Sequence, residues 1–156
     1  EHISGSQEAF AELMNTEAKQ LGATGTHFVN PHGLHDENHY TTTYDLYLMF
    51  NEALKDQAFL DIISMNSYTA KVTSADGTSY TPTWQATNYY SAGEATPPDG
   101  IHVYGGKTGT TDQAGNCVIL YEKNTAGEPY ISVIMGASDK PLLYEEMNEL
   151  LDAGMK

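Results

Sequence analysis

The chain has no arginine: all seven of its cations are lysines, set against 21 aspartates and glutamates for a formal charge of −14. So negative a chain argues against nucleic acid as a partner and against a polybasic grip on a membrane surface. It also means that any carboxylate bound here is held by lysine, hydroxyls or backbone N–H groups, never by a bidentate guanidinium. Cysteine is nearly absent too. A single residue, Cys117, excludes an internal disulfide, and its place in an apolar strand pattern predicts a buried structural thiol rather than a nucleophile. No apolar run is long enough to span a bilayer, and no signal-peptide pattern is found. Internal repeats, low-complexity tracts and flexible linkers are also missing. The one tryptophan, Trp84, is expected to anchor the core or a hairpin.

What is there fits one modest domain with one core, since 156 residues suffice for that. Ser4-Gly5-Ser6 opens a helix whose Phe10, Leu13, Met14, Ala18 and Leu21 recur at helical spacing until Gly22 stops it. Thr26 to Val29 reads as extended, followed by the turn Asn30-Pro31-His32-Gly33-Leu34 and a polar loop from His35 to His39. Thr42 or Thr43 caps a second helix, with Asp45 favoured in its first turn and Leu46, Met49, Phe50, Ala53 and Leu54 as its buried stripe. A short helix is expected over Gln57 to Ile63. The period then drops from 3.6 to 2, and Tyr68–Thr73, Asp76-Gly77 and Thr78–Trp84 read as a hairpin. Asn88 to Asp99 is rich in Gly and Pro and reads as irregular. Three strands (Ile101–Thr108, Asn116–Lys123, Pro129–Ala137) and a helix from Pro141 to Gly154 complete the chain. The expectation is an α+β layering, mainly helical over residues 1–65, with hairpin, antiparallel strands and a covering helix over 66–156.

One run reads as chemistry rather than architecture: Gly105-Gly106-Lys107-Thr108-Gly109-Thr110-Thr111. Glycines let the backbone approach a ligand, and a strand edge here would offer a cation, hydroxyls and free N–H groups to an extended anion. A phosphate loop is excluded, because the glycine spacing is wrong and a strand rather than a helix follows. By itself a Lys-Thr-Gly triplet is usually a hairpin with a solvated lysine. It is also the third element of the penicillin-recognising signature that begins with Ser-x-x-Lys and Ser-x-Asn.

The chain as a whole resembles the C-terminal portion of the peptidase domain of serine-type D-alanyl-D-alanine carboxypeptidases, the low-mass penicillin-binding proteins. The likeness runs in order through Gly5-Ser6-Gln7-Glu8-Ala9-Phe10, Asn30-Pro31-His32-Gly33-Leu34, Tyr40-Thr41-Thr42 with Asp45-Leu46, Gly106-Lys107-Thr108-Gly109 with Thr111-Asp112 and Ala114-Gly115, and Val133-Ile134-Met135-Gly136. It implies part of a β-lactamase/penicillin-binding-protein-like transpeptidase fold, in which a serine cleaves the terminal D-Ala-D-Ala bond of peptidoglycan stem peptides through an acyl-enzyme and β-lactams are trapped in the same way. By the same resemblance, Lys107 and Thr108 hold the terminal carboxylate, the Thr110 backbone N–H is an oxyanion-hole donor, Gly109 keeps the strand open and His32 shapes the nearby loop. No cofactor is implied, and the parent protein is expected in the cell envelope.

No Ser-x-x-Lys occurs anywhere in the sequence. Thr16-Glu17-Ala18-Lys19 has the spacing without the nucleophile, and Ser64-Met65-Asn66 falls at a helix end, so it is read as coincidence. The expectation is truncation: Glu1-His2-Ile3 looks like a cut inside a longer chain, the serine and its lysine base lie upstream, and these residues alone are inactive. The missing N-terminal half of the domain then counts as a partner, and the surface it would cover is expected to favour self-association. The resemblance also leads one to expect an arginine after the closing strand, where Ser138-Asp139-Lys140-Pro141 stands and Lys140 is the sole candidate substitute. Two other readings are carried. One is a non-catalytic module that binds D-Ala-D-Ala or cell-wall peptide. The other is a metal-dependent hydrolase built on the His27–His39 stretch with His32, His35, Asp36 and Glu37, whose spacing matches no zinc motif.

Overall fold

Local signals place the N-terminal helices. In the computed structural model, which describes residues 2–154, Ser6 is extended and its hydroxyl accepts from the Ala9 N–H, opening helix α1 (Gln7–Gln20). Asn15 on α1 bonds both backbone groups of Phe28, at 2.7 and 2.8 Å, and so pins the extended segment that pairs His27 with Tyr40. Thr42, rather than Thr43, caps α2 (Thr43–Ala53), accepting from the Asp45 N–H at 3.1 Å. Asp45 itself is buried, its carboxylate bonded by Thr26 at 2.7 Å. Asp56 caps α3 (Gln57–Ile63).

The hairpin forms as four short pieces in one continuous register: β1 (Ser67–Thr69) pairs with β4 (Thr83–Gln85), and β2 (Val72–Thr73) with β3 (Ser79–Tyr80). Pro82 supplies no N–H to the ladder, and the strands break beside it. The Gly- and Pro-rich stretch expected to be irregular contains one turn of helix, α4 (Tyr89–Ala92), because the Asn88 side chain caps it.

β5 (Ile101–Thr111), β6 (Gly115–Asn124) and β7 (Pro129–Ala137) form an antiparallel sheet in that order, with β5 running three residues beyond its expected end. Asp139 caps α5 (Lys140–Gly154) by accepting from the Leu142 N–H. This helix lies on one sheet face and closes the core of Val118, Leu120, Ala137, Leu143, Tyr144, Met147 and Leu151. Helix α2 packs against β7.

Two burial expectations, those for the α2 stripe and for Cys117, need correction, and α1 shows why the first fails. Apart from the buried Ala18, the apolar stripe of α1 is not covered: Phe10, Leu13, Met14 and Leu21 line an open cleft of about 650 Å³ shared with Met49 and Ala53 of α2, and Leu13 is 52% exposed. Of the expected α2 stripe only Phe50 is buried, and the rest is half-exposed. Cys117 is also half-exposed, because it points away from the α5 face that buries its neighbours Val118 and Asn116. Trp84 belongs to the hairpin and stacks on Tyr68, both of them exposed.

Candidate functional site

The site is organised by a bulge in β5. Val103 pairs with Glu122, yet Gly105 pairs with Tyr121, so Tyr104 is an extra residue in the ladder. Before the bulge, Ile101 and Val103 pack towards the α5 core. After it the parity is reversed. Gly106 and Thr108 pair with Leu120 and Val118 on the core face, whereas Lys107 and Gly109 pair with Ile119 and Cys117 on the opposite one. The bulge therefore turns Lys107 out of the core.

The glycines beside it are needed for room. A Cβ on Gly105 would stand 1.9 Å from the Ile63 carbonyl oxygen at the end of α3, and one on Gly106 would stand 2.0 Å from the Ile119 carbonyl oxygen. Gly109 differs, since a Cβ there meets nothing within 4 Å. Around it lies a recess of about 190 Å³ bordered by Leu46, Lys107, Thr108, Cys117 and Met135, among others.

Lys107 is exposed, and its ammonium donates to the Thr108 carbonyl. The Thr108 hydroxyl lies 2.7 Å from that of Thr87. Thr110 Oγ1 donates to Asn116 Oδ1 at 3.2 Å, and Asn116, which is buried, donates from Nδ2 to the Ala137 carbonyl at 3.3 Å. β5 is an edge strand, paired on one side with β6 and with no strand on the other among the described residues. Lys107, Thr108, Gly109 and Thr110 thus stand together on an accessible strand carrying one cation and two hydroxyls.

The other expected residues lie elsewhere. His32 is exposed in its own turn, where Nδ1 accepts from the Leu34 N–H at 3.2 Å. His27 bonds the Asn38 carbonyl, and His39 accepts from the Val29 N–H. Burial holds the His39 pKa below its usual value and the neighbouring His32 and His27 add to this, while Asp36 opposes it. Among the described residues no three His, Cys, Asp or Glu side chains gather as a metal ion requires. Ser64 ends α3, and its hydroxyl bonds back to the Leu60 carbonyl. Lys140 has its ammonium 5.6 Å from the ring centre of Tyr89, two residues beyond Thr87.

Sequence reasoning missed Thr87, Asn116 and the bulge. The pair of glycines before Lys107 is the one trace of the bulge in the sequence. Nothing local marks Thr87, which reaches Thr108 only because the chain returns there after the hairpin.

Comparison with known proteins places the chain in a family. The family described as D-alanyl-D-alanine carboxypeptidase matches residues 1–139. D-alanyl-D-alanine carboxypeptidase DacF of Bacillus subtilis is 30% identical over 152 residues, which cover 97% of this chain and 36% of the relative. DacA of Haemophilus influenzae is 31% identical over 156 residues, covering 99% and 36%. The crystal structure of a Streptomyces DD-transpeptidase superposes with a TM-score of 0.82 at 28% identity, over 94% of this chain and 54% of that one. The chain thus spans about a third of the length of these curated relatives and about half of the solved structure.

Proposed function

The chain belongs to the D-alanyl-D-alanine carboxypeptidase family, and from that membership we propose that it supplies the substrate-binding strand of a serine-type peptidase acting on peptidoglycan stem peptides. The observation that carries the reading is the cluster on β5: an exposed lysine, a threonine hydroxyl and an unobstructed glycine in sequence along a free strand edge.

In this mechanism the stem peptide lies extended along β5, with its terminal carboxylate against Lys107 and Thr108. A serine oxygen attacks the carbonyl between the last two D-alanines while a lysine beside it takes the serine proton. The Thr110 N–H donates to the oxyanion of the tetrahedral intermediate, a role worth about 3–4 kcal/mol where such donors have been removed. Collapse breaks the C–N bond, the protonated D-alanine amine leaves, and water hydrolyses the ester. β-Lactams acylate the same serine. Open space over Gly109 leaves room for the peptide backbone.

The serine and its base come from polypeptide beyond these residues. Two facts support this: the sequence contains no Ser-x-x-Lys, and the chain spans only part of its relatives. The uncovered α1–α2 cleft is where that further polypeptide would pack, and the parent acts in the cell envelope. The same absence of Ser-x-x-Lys favours one second reading, a module that binds the D-Ala-D-Ala terminus without cleaving it. Intact mass after incubation with penicillin tests the proposal. We expect no adduct on the chain alone, and a stoichiometric, hydroxylamine-sensitive adduct on the polypeptide that restores Ser-x-x-Lys. An adduct on the chain alone would place a competent serine within these residues. No adduct on the restored polypeptide would leave the binding module.

A further inference from the structure

We infer that Thr87 is a positioning residue for the anion-binding strand, its hydroxyl deciding which way the Thr108 hydroxyl donates. The inference rests on the reading of Lys107 and Thr108 as the grip on a substrate carboxylate.

Thr87 Oγ1 is 2.7 Å from Thr108 Oγ1, and among the described residues it is the only side chain hydrogen-bonded to that hydroxyl. Its backbone is fixed on both sides by different elements. Ala86 N–H donates to the Asn66 carbonyl at 2.8 Å, closing the base of the hairpin. On the other side Asn88 is buried and caps α4, and the Tyr89 N–H donates to the Tyr144 hydroxyl of α5 at 2.9 Å. Thr87 is therefore held by the hairpin, α4 and α5 together, while its hydroxyl remains accessible beside β5.

The chemistry follows from counting protons. One proton lies between the two threonine oxygens, and either can supply it. A carboxylate next to Lys107 has only lone pairs, so it takes the Thr108 proton. Thr87 must then donate to Thr108 Oγ1, and the chain Thr87 to Thr108 to carboxylate is polarised in one direction. Thr110, on the same face, is fixed with the opposite polarity. Asn116 commits Nδ2 to the Ala137 carbonyl, so its Oδ1 takes the Thr110 proton and leaves the Thr110 hydroxyl only acceptor capacity. The two threonines thus differ in what they offer: Thr108 can donate to an anion, and Thr110 cannot. This asymmetry assigns the anionic end of the ligand to Thr108.

The test titrates the isotope-labelled 156-residue chain with an N-acetylated peptide ending in D-Ala-D-Ala, for wild type, Thr87→Val and Thr87→Ser. We expect Thr87→Val to weaken binding roughly three- to tenfold, the size of one hydrogen bond, and Thr87→Ser to restore it. In the free chain, Thr108 side-chain couplings should show one rotamer in wild type and Thr87→Ser, and averaging in Thr87→Val. Unchanged affinity and a single Thr108 rotamer in Thr87→Val would overturn the role of Thr87 and leave the carboxylate grip standing. A wild-type chain whose β5 resonances do not respond to the peptide would overturn the grip, and the role of Thr87 with it.

Discussion

Three glycines close together in β5 do different jobs, and substitution by alanine separates them. At Gly105 and Gly106 a methyl group would meet backbone carbonyl oxygens at 1.9 and 2.0 Å, and backbone cannot swing aside as a flexible side chain can. Gly105→Ala and Gly106→Ala should each lower stability by upwards of about 3 kcal/mol, the heavy end of overpacking. Gly109 has no neighbour within 4 Å of a would-be Cβ, so Gly109→Ala should stay within roughly 0.5 kcal/mol of wild type. The same methyl would intrude on a ligand lying over the strand. Urea unfolding and peptide titration on the three variants check this: the first two should fail in unfolding, the third in binding alone. A Gly109→Ala protein that binds normally would remove this glycine from the site.

At the scale of the element, β5 is governed by its bulge. Deleting Tyr104 would close the ladder without changing any pair, because Gly105 would then follow Val103 directly, still opposite Tyr121, and Lys107 would stay opposite Ile119 on the face away from α5. The expected outcome is a folded chain whose Lys107 still faces outwards, weakened by the loss of the Tyr104 ring contacts with His102 and Tyr121. Circular dichroism with urea unfolding checks this, and a chain that unfolds would show that the bend of the bulge itself is needed to bring Gly105 under the end of α3. The bulge also marks how far the sequence was legible. α3 and β7 have the bounds that the sequence predicts, because Asp56 caps the one and Pro129 opens the other locally. Asn88 was as good a cap as either, but it lay in a stretch whose glycines and prolines concealed a single helical turn. The triplet Lys107-Thr108-Gly109 was readable as a group because its residues are adjacent. Its aim was not, since the side a lysine faces depends on whether α3 and β6 leave room for a Cβ four or five residues after the strand begins. Thr87 and Asn116 were invisible for a similar reason: their partners are 21 and 6 residues away in sequence and meet them only in the folded sheet.

For the molecule as a whole, the core contains a carboxyl group that the binding strand does not use. Glu122 lies on β6 beneath α5 and is 2% exposed. Ser132 donates to one of its oxygens at 2.6 Å, while the other has no hydrogen-bonding partner among the described residues. The recess beside it, between Ile101, Leu150 and Leu151, is about 20 Å³, room for one water and too little to hydrate a charge. Burial pushes its pKa up to about 7 against the partial relief given by Ser132. The folded protein therefore holds this proton more tightly than the unfolded chain, whose carboxyl titrates near 4.5. The contribution to stability is complete below that value and is lost as pH rises through about 7, by roughly 3 kcal/mol for a shift of this size. Tyr90 and Tyr144, on the helices facing Glu122, are both shifted upwards by burial and so titrate above this window. His39 is shifted downwards and works in the opposite sense inside the same window, losing stability as pH falls below its ordinary value of 6.5. Unfolding in urea between pH 5 and 8.5 should show wild type weakening across neutrality, and Glu122→Gln, which cannot ionise, should remove that slope and be the more stable protein at pH 8.5. Parallel profiles for the two would mean that Glu122 ionises in place at little cost, with the seam between α5 and the sheet open enough to admit the water that a carboxylate needs.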